Sequence, residues 1–275
     1  GSDDPGALRE VTELYAPIVA GAGSGDSGSP AVPVVTTDLV TAEMTKYASN
    51  AFLATKISFA NEMARLCDLV GADVKEVTRG MGLDPRIGSR YLDAGLGWGG
   101  SCFDKDVAAL CATAREYGYE TRLLNAARAV NSDQRHLVVE QLFRYLKTLR
   151  GARVAVLGLS FKPGTDDLRD SPAVDVARRL LQRGVFVVAY DPVVRHVPDL
   201  PEIRMSSDAY QAAKGADAVV LATEWPEFSD LDLTRLRDLS RGDLFFDGRN
   251  LFDPAKVQAA GFHYVGIGRS SVGRD

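Results

Sequence analysis

Arg153-Val-Ala-Val-Leu-Gly158 decides the fold. It is a short, continuously apolar run set between glycines, and four more follow at intervals: Val185-Phe-Val-Val-Ala-Tyr190, Ala218-Val-Val-Leu-Ala222, Leu244-Phe-Phe-Asp247 and Phe262-His-Tyr-Val-Gly-Ile267. Half-exposed strands alternate apolar and polar residues, whereas unbroken apolar runs suit parallel strands buried on both faces. Helical patterns separate them at 173–183, 209–214, 231–239 and 254–260. This alternation predicts an open, doubly wound α/β parallel sheet over 150–275. Ligands on such sheets bind beyond the carboxyl ends of the strands. The residues there are Phe161-Lys162-Pro163-Gly164, Asp191-Pro192, Thr223-Glu224-Trp225 and Gly248-Arg249-Asn250. Cations and aromatic rings at one rim suit a base and phosphates, although spacing alone fits an ordinary solvated rim equally well.

Upstream of Gly151 the period is helical. A short helix is predicted over 6–20, then a Gly/Ser/Pro loop over 21–33. Thr36, Thr37 and Asp38 offer N-caps for a long helix ending at Gly71. Further helices are expected over 73–80, 104–117 and 121–149. The long helix would measure roughly 50 Å. Its apolar residues, among them Leu39, Tyr47, Phe52, Leu53, Ile57, Phe59, Met63 and Leu66, wrap most of its circumference. A helix apolar on nearly all sides is buried on nearly all sides, so a second copy of the chain is expected against it. The divisions are 1–35, an all-helical 36–149 and the α/β 150–275.

The chemistry concentrates in Gly95-Leu-Gly-Trp-Gly-Gly-Ser-Cys-Phe-Asp-Lys-Asp106. Four glycines in six residues remove side-chain bulk and let a ligand approach the backbone. A helix predicted from Asp104 would set Cys102 near its positive end, beside Lys105, where a thiolate is favoured. A lone cysteine is more often a small buried hydrophobe, and the glycine setting weighs against that. Gly95-x-Gly97-x-x-Gly100 and Gly23-x-Gly25-x-x-Gly28 match the dinucleotide fingerprint in letters only. Neither lies between an apolar strand and a helix, as the fingerprint requires.

Composition sets the outer limits. The 275 residues are 45% hydrophobic and 25% charged, with a net charge of −5 and no basic block, which argues against nucleic acid and anionic membranes as partners. Three cysteines, Cys67, Cys102 and Cys111, make no disulfide framework or metal spacing, so no metal is expected and a reducing cytoplasm fits best. No apolar stretch approaches the 18 or so residues of a membrane span.

These motifs together resemble the nucleotide-sugar 6-dehydrogenases, those acting on UDP-glucose above all. The likeness rests on Ala42-Glu-Met-Thr-Lys-Tyr-Ala-Ser-Asn50, Asn61-Glu62, Arg86-Ile-Gly88 and Gly97-Trp-Gly-Gly-Ser-Cys-Phe-Asp-Lys-Asp106. It continues through Gly158-Leu-Ser-Phe-Lys-Pro-Gly-Thr-Asp-Asp-Leu-Arg-Asp-Ser-Pro172, Thr223-Glu-Trp-Pro-Glu-Phe228 and Phe246-Asp-Gly-Arg249. Trp98 replaces another aromatic of the family, and Asp104 stands where proline or glutamine is common.

The resemblance implies two successive NAD-dependent oxidations of the sugar C6 alcohol to a carboxylate. Cys102 would carry the thiohemiacetal and thioester, Lys46 and Asn50 would stabilise the developing alkoxide, and Asp106 would position or deprotonate water. Lys46 and Asn50 share one helix face by their i, i+4 spacing. Arg86, from the neighbouring subunit, and Tyr91, Leu92, Gly99, Phe161, Lys162 and Arg249 would hold the UDP-sugar, with Lys105 and Arg249 near the cofactor. It further implies a central dimerisation domain over 36–149 and a Rossmann-like, UDP-sugar-binding domain over 150–275. The family's N-terminal NAD-binding domain is not found in the sequence, so a fragment that forms no NADH by itself is expected. A catalytically inactive nucleotide-sugar-binding and dimerisation module, or an enzyme of GDP-mannose or UDP-N-acetylmannosamine, are the other readings.

Overall fold

A computed structural model describes residues 1–20 and 32–269. The Gly23 to Gly28 match and most of the predicted loop at 21–33 lie outside the described residues. Two compact units are distinguished, Gly1–Phe52 and Leu53–Asp275.

The first unit holds α1 (Pro5–Val19) and the start of α2 (Leu39–Val70). Asp4 caps α1 by accepting from the Gly6 amide at 2.7 Å, and Asp38 caps α2 through the Thr41 amide at 2.8 Å. Ser2 N donates to Thr37 O at 3.0 Å, which ties the N-terminus to the start of α2. On α1, Val11, Leu14, Tyr15 and Ile18 form an exposed apolar stripe at helical spacing.

The second unit continues α2 to Val70, where Gly71 takes a positive φ of 77° and ends the helix as its sequence predicts. It adds α3 (Val74–Gly82), α4 (Gly100–Glu116) and α5 (Arg122–Leu146). The parallel sheet follows: β1 (Arg153–Leu157), β2 (Phe186–Tyr190), β3 (Arg204–Met205), β4 (Ala218–Leu221), β5 (Leu244–Asp247) and β6 (His263–Gly266). Its helices are α6 (Pro172–Leu181), α7 (Ala209–Ala213), α8 (Leu233–Leu239) and α9 (Pro254–Ala259), with a 3-10 turn at Pro226–Asp230.

The strand order is β3-β2-β1-β4-β5-β6, every pair parallel, so direction of growth reverses between β1 and β4. Val154 and Val156 of β1 pack with α5 and α6 residues such as Val138, Leu142, Val176 and Leu180. Ala155 and Leu157 face the other way, onto Ala212, Leu236, Phe228 and Phe245. The continuous apolar run is thus a central strand covered on both faces, as predicted. Among the described residues no helix is long and apolar enough to cross a membrane.

Two expectations need correction. The helix predicted from Asp104 begins at Gly100, so Cys102 lies inside its first turn rather than ahead of it. Its N-cap is Gly99, which has no side chain to signal a cap. The edge strand β3 has no counterpart in the prediction, because two residues, one exposed, carry no apolar run.

Candidate active site

The glycine loop preceding α4 is buried, although it has no regular structure. Leu92, Leu96 and Trp98 are at most 4% exposed. Buried amide side chains hold it. Asn61 Oδ1 accepts from Gly95 N at 2.8 Å, while Gln134 Nε2 donates to Gly95 O at 3.0 Å. Asn131 accepts from Trp98 N at 2.7 Å and donates to Trp98 O at 3.0 Å, replacing a strand neighbour for that residue. Trp98 Nε1 donates to Ser58 Oγ at 3.0 Å, which in turn donates to Ala127 O at 2.8 Å. Every backbone group so held would otherwise be a buried orphan.

The glycines are also required by the protein's own packing. At Gly97, with φ 95°, a β carbon would stand 2.3 Å from Asn131 Oδ1. One at Gly99 would meet Asp170 O at 2.1 Å, and one at Gly100 the Phe161 ring at 2.7 Å. Loss of side chains here brings the loop against the segment after β1.

That contact closes a cleft of about 500 Å³ lined by Tyr91, Trp98, Phe103, Phe161, Lys162 and Arg249 among others. Phe161 and Lys162 follow β1, Glu224 follows β4 and Arg249 follows β5, so the cleft opens at the topological switch point of the sheet. The Lys162 ammonium lies 5.3 Å from the centre of the Phe161 ring. Arg249 has a side chain only 14% exposed and lies 3.1 Å from Glu224 Oε2. Its Nε donates to Ala222 O at 2.8 Å, and its terminal nitrogens make no hydrogen bond among the described residues. A half-buried guanidinium with open donors facing a cleft is suited to an anion. A second cavity of about 480 Å³, lined by Lys75, Arg79, Leu92 and Asn250 among others, shares Asp93, Gly95, Glu224 and Arg249 with the first.

Not all of the predicted rim faces ligand. Asp191 is fully buried and accepts from the amides of Leu159, Ser160, Val193 and Val194 at 2.7–3.1 Å. Burial pushes its carboxyl up, but those amides outweigh it and hold the group below the ordinary carboxylate range. Trp225 Nε1 also reaches Ser160 Oγ at 3.1 Å, and Thr223 Oγ1 donates to Ser160 O at 2.6 Å. Asp191, Thr223 and Trp225 are therefore internal fasteners. Asp247, the buried last residue of β5, is pushed up by burial despite bonds from Phe252 N at 2.8 Å and Arg249 N at 3.1 Å. The latter bond fixes the turn that aims Arg249.

The predicted reacting groups stand as follows. Cys102 is exposed in the first turn of α4, its Sγ 3.8 Å from Ser101 Oγ, next to Phe103 of the cleft wall. Gly99 gives α4 no side-chain cap, so the amides of that turn remain as a locus of partial positive charge. Asp106, one turn on, is fully buried and receives Lys105 Nζ at 2.7 Å. Lys46 and Asn50 lie one turn apart on α2 in the first unit, with the Lys46 ammonium 4.9 Å from the centre of the Tyr47 ring. Tyr91, Gly99, Phe161, Lys162 and Arg249 are brought together in one cleft, and Leu92 lines the adjoining cavity. Arg86 lines neither, since its guanidinium chelates Asp84 at 2.6–3.1 Å in solvent.

Sequence reasoning missed Arg169. Its guanidinium donates to Asp167 at 2.7–2.9 Å, and those bonds raise its basicity. It also assigned no role to Asn61, Asn131 and Gln134. An amide recurring on the apolar side of a helix was the available signal.

The turn between β1 and α6 does not offer the dinucleotide arrangement. In that use the carboxylate ending β2 binds ribose and the amides after β1 face pyrophosphate. Here Asp191 is bonded to those very amides, and α6 begins only at Pro172, capped by Ser171.

The UDP-glucose/GDP-mannose dehydrogenase family matches in two places, its central domain over residues 40–133 and its UDP binding domain over residues 155–254. The chain is 42% identical over 277 residues to the UDP-glucose 6-dehydrogenase TuaD of Bacillus subtilis, covering 99% of this chain and 57% of that protein. The UDP-glucose dehydrogenase of Pyrobaculum islandicum superposes with a TM-score of 0.84 at 37% identity, over 98% of this chain and 58% of that one. A UDP-D-ManNAc dehydrogenase from Pyrococcus horikoshii gives 0.81 at 30%, over 96% and 58%. The chain therefore spans somewhat over half the length of these relatives.

Proposed function

We propose, because the chain belongs to the UDP-glucose/GDP-mannose dehydrogenase family, that it holds a UDP-sugar at the switch point of its sheet and carries the thiol for oxidation of the sugar at C6. The observation that carries this reading is the cleft uniting Tyr91, Gly99, Phe161, Lys162 and Arg249 from motifs far apart in sequence. Lys162 and the open donors of Arg249 suit a diphosphate, and the aromatic walls suit the uracil and sugar faces.

In this reading the Cys102 thiolate attacks the carbon of a C6 aldehyde. A carbon–sulphur bond forms, and the carbonyl electron pair becomes an alkoxide. The resemblance assigns Lys46 and Asn50 to that alkoxide, whose charge needs fixed donors. The start of α4, where Cys102 lies, has no side-chain cap. Asp106, a buried carboxylate one turn from Cys102, is assigned to orient the water that later releases the acid from its thioester. The oxidant is NAD by the resemblance, which sets Lys105 and Arg249 near it. Residues 36–149 and 150–275 are taken as the central and the UDP-sugar domains.

Calorimetric titration with UDP-glucose tests the reading. Lys162→Ala should weaken binding by about 1.5–3 kcal/mol, roughly tenfold to a hundredfold in Kd, through loss of a charged hydrogen bond. An unchanged Kd removes Lys162 from the site. The Pyrococcus neighbour supports a second reading, with an N-acetylated sugar as substrate. Tighter binding of UDP-N-acetylmannosamine than of UDP-glucose would select it.

A further inference from the structure

Arg135, on α5, joins two loops that the cleft needs in register. Its side chain is 13% exposed. Nη1 donates to Asp170 Oδ1 at 2.9 Å, and Nη2 donates to Trp98 O at 3.2 Å. Asp175 Oδ2 lies a further 3.7 Å from Nη1.

Trp98 lines the cleft itself and lies one residue before Gly99, the N-cap of the helix that bears Cys102. Asp170 ends the segment that starts with two other lining residues, Phe161 and Lys162. That segment is braced across its base, for Phe161 N donates to Asp167 O at 3.1 Å and Ser171 Oγ donates to Leu159 O at 2.6 Å. A shift of Asp170 is thus passed to Phe161. Asp170 itself holds a positive φ of 47°, which a non-glycine residue keeps only when its surroundings fix it. At Gly99 the Asp170 carbonyl and at Gly100 the Phe161 ring come directly against the glycine loop, and the Arg135 fork ties the same two loops together. A guanidinium satisfies two acceptors in one plane, as a lysine ammonium cannot.

We infer that Arg135, through its fork to Asp170 and Trp98, is a positioning residue that couples nucleotide occupancy of the cleft to the placement of the Cys102 thiol. The inference rests on the UDP-sugar reading above. It predicts that bound nucleotide and sugar C6 are aligned to the thiol by a group that touches neither.

The test uses the 275-residue chain. Alkylation of Cys102 by iodoacetamide is followed by mass spectrometry with and without saturating UDP-glucose, and the affinity for UDP is measured separately. Cys67 and Cys111 are buried and serve as internal controls. UDP-glucose should slow alkylation of the wild type about tenfold, within the usual range of coupling between sites. Arg135→Gln should keep its affinity for UDP within about twofold but lose most of that protection, and Asp170→Asn should behave alike. Full protection in Arg135→Gln overturns the coupling alone. Parallel loss of UDP affinity and protection in both variants, with their melting temperatures lowered, also overturns it by showing a structural role. If the wild type neither binds UDP nor is protected, the UDP-sugar reading itself fails.

Discussion

At Gly97 the conformation and the space agree: φ is 95°, and a β carbon would overlap the oxygen of Asn131 that accepts from Trp98 N. Gly97→Ala must therefore strain the backbone and also break a buried hydrogen bond, for about 3 kcal/mol in all. A thermal melt should show a fall of roughly 6–12 °C for a chain of this size, and a fall below about 2 °C would mean that the loop relaxes freely. The same position shows what the sequence disclosed. Glycine density marked the loop and its Cys102, while Lys162 and Arg249 stood out by falling just past the carboxyl ends of predicted strands. What fills the space beside the glycines was less legible, since Asn131 and Gln134 lie on an amphipathic helix where amides normally face water. Their place on one face with Ala127, Val138 and Leu142 was the cue, and in the structure the two amides are 5% and 0% exposed. Ser58 and Asn61 gave a fainter cue, lying with Ala54 at i, i+4 and i+7 on the buried side of α2.

Among the elements, the strands were legible because an unbroken apolar run in a chain of this length has few other uses, and β1, β2, β4, β5 and β6 begin and end within a residue or two of the prediction. The start of α4 was not, because a glycine cap followed by Gly100 and Ser101 resembles a loop until its hydrogen bonds are known. How the strand ends are secured was also unreadable. Asp191 looked like a rim ligand and is instead the hub that binds the β1 and β2 exit turns together. Its folded pKa is depressed, so the stability it contributes is present above its unfolded value of about 3.9 and is lost as pH falls through the folded value. Asp191→Asn keeps the shape, but its NH2 must face amide donors whichever way it is turned, because Oδ1 and Oδ2 each accept from two of them. We expect a loss of about 3 kcal/mol at pH 7. Denaturant titrations should show the difference from wild type shrinking below about pH 4, where the wild-type carboxyl also gains a proton. A difference constant from pH 7 to pH 3 would mean that charge on Asp191 contributes nothing.

For the whole molecule, the unanswered question is what covers α2. The sequence predicted a helix apolar around most of its circumference, and a single chain covers only part of it. Ala54, Ala60, Asn61 and Ala64 are buried, whereas Phe52 is 65% exposed, Phe59 43%, Leu66 49%, Leu69 82% and Val70 76%. The buried side is lined by small residues and the exposed side by large ones, the reverse of a helix that ends its packing within one chain. Phe59 and Leu66 are two turns apart, so their side chains fall on one stripe. Exposed apolar surface beyond a few hundred Å² is seldom left uncovered in a soluble protein, and a second copy meets this need symmetrically because the same stripe serves both partners. We therefore expect light scattering at micromolar concentration to give twice the 29.6 kDa chain mass. Phe59→Glu with Leu66→Glu would place two charges on that stripe, where burial against a partner is costly, and should shift the mass to that of one chain without lowering the helix content seen by circular dichroism. A monomeric wild type at that concentration would exclude the dimer, and an undiminished dimer in the double variant would place the interface elsewhere than this stripe.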